Sequence, residues 1–197
     1  MANLDNNTQK EPIFEFKTLL TKEEYVKIMT KNEAIRRDLQ TNYYFDTTRF
    51  SLKASDAILR VKRTPVKLTI ILERKKGYVF QRIEEEISEE EFQAMKDEQT
   101  IFNINVKNEL VDLIKDQKIV NFMDFSTYRI YVPYKNTKFA VDKCEYCGTI
   151  DYELEFQTKN RDTGKQLFVQ IIKDYEIEYK KSTVKLKRAY IALKNQM

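Results

Sequence analysis

Charged residues fall at every second position along strand-like segments, and this alternation constrains the fold more than any other feature of the chain. It appears as Glu15/Lys17, Arg60/Lys62, Arg82/Glu84/Glu86, Arg129 and Glu153/Glu155. Side chains alternate faces along a strand. In IDYELEF (150–156), Asp151, Glu153 and Glu155 therefore share one face, and Tyr152, Leu154 and Phe156 the other. A single sheet face in water would produce this pattern. The sharper reading curls the sheet so that the charged faces look inward. An eight-stranded closed barrel has an interior wide enough for side chains or one small ligand. Charges there require compensation, because desolvating them is costly. Cations clamp phosphate oxygens, and carboxylates hold a divalent ion that bridges phosphate and water. An interior of mixed sign therefore suits a metal–polyphosphate complex.

The bulk numbers agree with one folded domain. The chain has 197 residues and 42% hydrophobic content, enough for a core. Thirty-five cations nearly balance 31 anions, for a net charge of +4. That balance argues against nonspecific duplex binding, which needs a dominant positive field. There is no histidine. Ser-His-Asp and Cys-His catalysis are excluded, as is any histidine-ligated metal. A bound metal would be held mainly by oxygen ligands, as Mg²⁺, Mn²⁺ or Ca²⁺ is. MANLDNNTQKEP (1–12) has no apolar signal core and is predicted to be a flexible leader, with residues 13–197 as the domain. No apolar run of about 18 residues exists for a membrane span, so a cytoplasmic protein with no membrane partner is expected.

Periodicity predicts strands over 13–19, 42–47 and 57–63, then a hairpin joined at Lys75-Lys76-Gly77. Further strands are predicted over 124–134 and within 138–157. Thr21 with Glu24, and Ser88 with Glu91, have the spacing of capping boxes that open helices. Val106, Leu110, Val111 and Ile114 mark another helix. Asp162 is the expected cap of a helix through Leu167, Phe168, Ile171 and Ile172, and a last helix is expected from Ser182, with Val184, Ala189 and Leu193 inward. About eight strands with irregularly interspersed helices make an α+β protein with a mostly antiparallel sheet or barrel.

The ordered set EFK, YYFDT, LRVKR, RIEEE, AVD…YCGTIDYELEF and a late KxK segment resembles the CYTH domain. This is the triphosphate tunnel metalloenzyme superfamily, which includes class IV-type adenylate cyclases and thiamine triphosphatases. The spacing is closest to the branch found in low-GC Gram-positive bacteria. The resemblance covers Ile13 to Tyr190. It implies a closed antiparallel eight-stranded β-barrel, or tunnel, with helices packed outside. It also implies a ligand such as tripolyphosphate or an organic triphosphate, for example thiamine triphosphate, hydrolysed with Mg²⁺ or Mn²⁺. Carried over by position, Glu15, Glu153 and Glu155 would be metal ligands or orient the attacking water, with Glu15 and Lys17 in the catalytic set. Lys17, Arg60, Lys62, Arg82, Arg129 and Lys185 would contact phosphate oxygens. Glu84 and Glu86 would support the metal or hold the cations in place. In-line attack of water on a terminal phosphoryl group is mostly positioning and charge neutralisation, so it needs no histidine.

Two positions depart from the family pattern. Its signature opens Glu-x-Glu-x-Lys, but Ile13 stands at the first Glu, with Glu11 the nearby carboxylate. Ile71 stands where the strand after LRVKR usually offers a lysine. These two changes support an alternative, a noncatalytic binding protein for a polyphosphate or nucleotide ligand. A third reading is an RNA-binding module on an exposed charged sheet, and KKSTVKLKR (180–188) could by itself form a surface basic patch for nucleic acid. Cys144 and Cys147 form a CxxC, but no further cysteine or histidine completes a zinc site, and a glycine and a strand follow where a redox pair would open a helix. They read as two reduced thiols. Exposed outer strands could support a homodimer.

Overall fold

The structure is a computed structural model and describes residues 13–196. Residues 1–12, including Glu11 and the expected leader, lie outside the described residues. The elements run β1 (Phe14–Leu20), α1 (Lys22–Lys31), β2 (Arg36–Thr47), α2 (Ser51–Ala54), β3 (Ala57–Arg63), β4 (Leu68–Lys76), β5 (Val79–Ile87), α3 (Glu89–Asp97), α4 (Ile104–Ile114), β6 (Ile119–Tyr134), β7 (Thr137–Tyr146), β8 (Thr149–Thr158), α5 (Arg161–Asp174) and α6 (Lys185–Lys194). This is an α+β fold. Its eight strands form one antiparallel sheet in the order β1-β8-β7-β6-β2-β3-β4-β5. Among the described residues, β1 and β5 are the ends of that order and hydrogen bonds do not close the sheet. No helix of the described residues is long and apolar enough to cross a membrane.

The chain forms two compact units, each drawn from separate segments. Among the described residues, the first comprises 13–37, 129–142 and 151–182. Its β1 lies antiparallel to β8, with Lys17 facing Glu155 and Leu19 facing Glu153. The alternate residues of β8, Leu154 and Phe156, are buried with Ile28 of α1, Val132 of β6 and Phe168 and Ile171 of α5. Helix α1 begins at a capping box. Thr21 Oγ1 accepts from Glu24 N, and Glu24 Oε2 accepts from Thr21 N. Helix α5 sits tightly on the sheet at Gly164, where a Cβ would overlap Thr158 and stand 3.0 Å from the Phe16 ring. Asn160, rather than Asp162, caps α5, because its side-chain oxygen accepts from Thr163 N at 3.0 Å. Asp162 lies in the first turn, where a carboxylate still favours the helix dipole.

The second unit comprises 38–128, 143–150 and, among the described residues, 183–196. Strands β2 to β5 form a meander. Rows of facing residues cross it: Tyr44, Arg60, Ile71 and Glu84 in one, and Asn42, Lys62, Thr69 and Glu86 in the next. The opposite face carries Phe45, Leu59, Val61, Ile70 and Leu72, buried with Phe92 and Met95 of α3 and Val106 and Leu110 of α4. Ser88 and Glu91 cap α3 reciprocally, as their spacing predicts. Gly77, at φ 65°, supplies the left-handed residue between β4 and β5. The buried Asp46 carboxylate accepts from Thr47 N, Leu52 N and Lys53 N, which fixes the short α2 beneath β2. The last helix starts at Lys185 with Val184 as its N-cap residue. Ala189 is buried, whereas Val184 is 63% exposed, so Val184 does not take the inward place its spacing suggested.

Candidate active site

In the first unit the alternation of β8 brings Glu153 and Glu155 to one face. Strand β7 adds Asp142 to them. Oxygens of these three carboxylates lie within 4.8 Å of one another, and all three residues are buried. Arg129 of β6 binds this group as a fork. Its Nε donates to Asp142 Oδ1 at 2.8 Å and its Nη2 to Asp142 Oδ2 at 2.7 Å. The same Nη2 donates to Glu155 Oε2 at 2.7 Å. Burial alone would lower the Arg129 pKa, but hydrogen bonds and charge from Asp142 and Glu155 outweigh it and hold the guanidinium well above its ordinary value. Arg129 is therefore a permanent cation in this site. Gln157 Nε2 donates to Glu155 Oε1 at 2.7 Å. Ser182 Oγ donates to Glu153 Oε2. A cavity of about 230 Å³ opens beside the cluster, lined in part by Arg129, Tyr131, Lys138, Glu155 and Gln157.

The donor set suits a hard divalent ion. Three clustered carboxylates offer only oxygen, which is the ligand chemistry of Mg²⁺ and Mn²⁺. Asp142, Glu153 and Glu155 are the residues that could hold it. Asp142 is absent from the set that the sequence singles out. Its in-phase neighbours on β7, Ala140 and Cys144, carry no charge, so alternation gave no signal. Glu15 is not part of the three-carboxylate group. On β1 it accepts from Lys17 Nζ at 2.6 Å. Ile13 precedes β1 and is 65% exposed.

The second unit carries a charged face of its own. Arg60 Nη1 donates to Asn42 Oδ1 at 2.6 Å, and its Nη2 lies 3.6 Å from Glu73. Arg82 binds both Glu73 and Glu84, donating to Glu84 from Nη2 at 2.7 Å. The hydrogen bond from Arg82 lowers the Glu84 pKa, and the same bond raises that of Arg82. Lys62 lies 3.9 Å from Glu84, and Lys67 lies 3.6 Å from Glu86. Glu84 and Glu86 are thus engaged with cations here. Ile71 sits fully buried in this charged row, between Arg60 on β3 and Glu84 on β5. Lys185 is the first residue of α6.

The two cysteines take different positions. Cys144 is buried in β7 and Cys147 lies in the β7–β8 turn at φ 44°. Burial, then the charge of Asp124, pushes the Cys147 thiol pKa up, the opposite of what a reactive thiolate needs.

Comparison with known proteins bears on this arrangement. The chain is 28% identical over 182 residues to the Bacillus subtilis (strain 168) protein named "Putative triphosphatase YjbK", a match covering 89% of this chain and 93% of that one. A Bacillus halodurans crystal structure described as a "putative adenylate cyclase" has 25% identity and a TM-score of 0.65, covering 90% of this chain and 97% of its own. A Hippeastrum protein described as "Putative adenylyl cyclase HpAC1", with a dominant triphosphatase activity, has a TM-score of 0.68 at 19% identity and shares the fold, covering 93% of this chain and 95% of its own. The CYTH domain family model matches residues 11–190, and the chain belongs to that family.

Proposed function

We propose that this protein hydrolyses a triphosphate, either inorganic tripolyphosphate or an organic triphosphate, with Mg²⁺ or Mn²⁺. The observation that carries the reading is the group of three buried carboxylates, Asp142, Glu153 and Glu155, gripped by Arg129 in a chain of the CYTH family. The eight strands close into a tunnel, and residues 13–197 act as one functional domain. A divalent ion, when bound, supplies charge neutralisation at phosphate oxygens. Asp142, Glu153 and Glu155 hold it. Lys17, Arg60, Lys62, Arg82, Arg129 and Lys185 bind phosphate oxygens and keep the chain of phosphoryl groups extended. Glu15 steadies the Lys17 ammonium, while Glu73 and Glu84 steady Arg82. Water attacks the terminal phosphoryl group in line, and catalysis is by positioning.

The test is phosphate release from tripolyphosphate with Mg²⁺, with Mn²⁺ and with EDTA, beside Glu153→Gln. Release should require metal and fall about 100-fold or more in the variant, since losing even an outer partner of a metal ligand costs about 10–100-fold. Release that persists in EDTA sinks the reading.

Ile71 favours a second reading. A fully buried isoleucine at the centre of a charged row removes a site where a cation could meet phosphate. A noncatalytic phosphate-chain binder would show a tripolyphosphate-induced rise in Tm with no turnover.

A further inference from the structure

Residues 177–182 follow α5 and return to β1 as a strap, whose last residue reaches the acid group. Ile177 is buried in the core of the first unit and anchors the start. Glu178 N donates to Glu24 Oε1 at 2.9 Å, using the carboxylate that also caps α1. Lys180 Nζ lies 3.6 Å from the other oxygen of Glu24. The fully buried Thr18 then holds Lys180 twice. Lys180 N donates to Thr18 Oγ1 at 2.8 Å, and Thr18 Oγ1 donates to Lys180 O at 3.1 Å. Leu19 N also donates to Lys180 O at 3.1 Å. This pairing fixes the strap beside β1, whose Leu19 faces Glu153 across the sheet. Two residues on, the Ser182 hydroxyl donates to Glu153 Oε2.

We propose that Ser182 is a positioning residue for the metal-holding carboxylate Glu153, and that the strap exists to deliver its hydroxyl. The inference rests on the reading of Asp142, Glu153 and Glu155 as a divalent-cation site. A carboxylate has two oxygens and a freely turning terminal torsion. Holding one oxygen by a hydroxyl fixes which oxygen the cation meets, the role that outer hydrogen-bond partners play around metals. Ser182 serves Glu153 rather than a helix cap. It lies where a helix-like pattern begins, and its side chain could have capped α6. Instead α6 starts with Val184 as its N-cap residue, without a side-chain cap.

The experiment is Mn²⁺ binding by titration calorimetry to the intact chain and to Ser182→Ala, Ser182→Thr and Glu153→Gln. Binding does not depend on turnover. Ser182→Ala should weaken Mn²⁺ about 10-fold or more, the lower range for losing an outer hydrogen bond to a ligand. Ser182→Thr keeps the hydroxyl and should recover most of that loss, which a purely packing role would not allow. If Glu153→Gln weakens Mn²⁺ and Ser182→Ala does not, the strap proposal is wrong and the metal site stands. Equal loss in the alanine and threonine variants overturns it as well. An intact chain that binds no Mn²⁺ overturns the metal reading and this inference with it.

Discussion

Arg129 and Asp142 meet as two parallel forks, with both carboxylate oxygens of Asp142 accepting from one guanidinium at 2.8 and 2.7 Å. Asp142 is fully buried, and Glu155 shares the same nitrogen. Removing the cation leaves these buried carboxylates without it. Breaking a buried pair from one side costs about 3–5 kcal/mol. Arg129→Met should lose stability on that scale in urea unfolding. Arg129→Lys keeps the charge but cannot make the fork, so it should fall between the two. A methionine variant as stable as the parent would show that the fork carries no structural load.

Glu24 gives a pH signature for the strap. Burial alone would raise its pKa, but the backbone N–H groups of Thr21 and Glu178, with Lys180, lower it below the ordinary 4.5. A carboxylate with a depressed folded pKa adds stability that is complete above the unfolded value. That stability is lost as pH falls through the folded one. The stability gap between the parent and Glu24→Gln should therefore be widest above pH 4.5 and close below it. Thermal melts from pH 3 to 7 measure it; a gap independent of pH would remove Glu24 from this role.

Ile13 and Ile71 should respond differently to restored charge. Ile13 is 65% exposed, and exposed substitutions usually change stability by no more than about 0.5 kcal/mol. Ile13→Glu should leave Tm nearly unchanged and raise metal-dependent phosphate release. Ile71 is fully buried beside Arg60, so Ile71→Lys should destabilise by on the order of 3 kcal/mol. Tripolyphosphate should then raise Tm more in Ile71→Lys than in the parent. An equal rise in both would mean that position 71 does not face the ligand.

Gly164 tests the seat of α5. Alanine in a helix interior is favoured over glycine by about 1 kcal/mol. Here its Cβ would overlap Thr158 and crowd Phe16, and overpacking costs about 1–3 kcal/mol. The clash should win, so Gly164→Ala should lower the urea midpoint. The double variant Gly164→Ala with Thr158→Ser, which removes the clashing methyl, should recover part of it.

Local signals were readable wherever a few neighbouring residues decide the structure. Both capping boxes form as spaced, β3 spans the same residues as AILRVKR, and β4 and β5 meet at Gly77. Strands whose starts depend on distant pairing were read short: β2 begins at Arg36 and β6 at Ile119. Ser182 was read as a helix start because its local pattern is helical. In the structure its hydroxyl bonds to Glu153, 29 residues away, and α6 starts at Lys185. The alternation on β8 pointed to Glu153 and Glu155. Asp142 escaped because a single carboxylate on a strand has no period, and only the fold shows its company.

Thr18 and Lys180 are 162 residues apart in the chain. At about 5–20 residues per second, a ribosome adds Lys180 roughly 8–32 s after Thr18. Until then β1 has no strap and Glu153 lacks its serine. The growing chain therefore acquires its acid group in finished form only after residue 182 has been added. A chain cut before residue 182 lacks the hydroxyl from which Glu153 accepts.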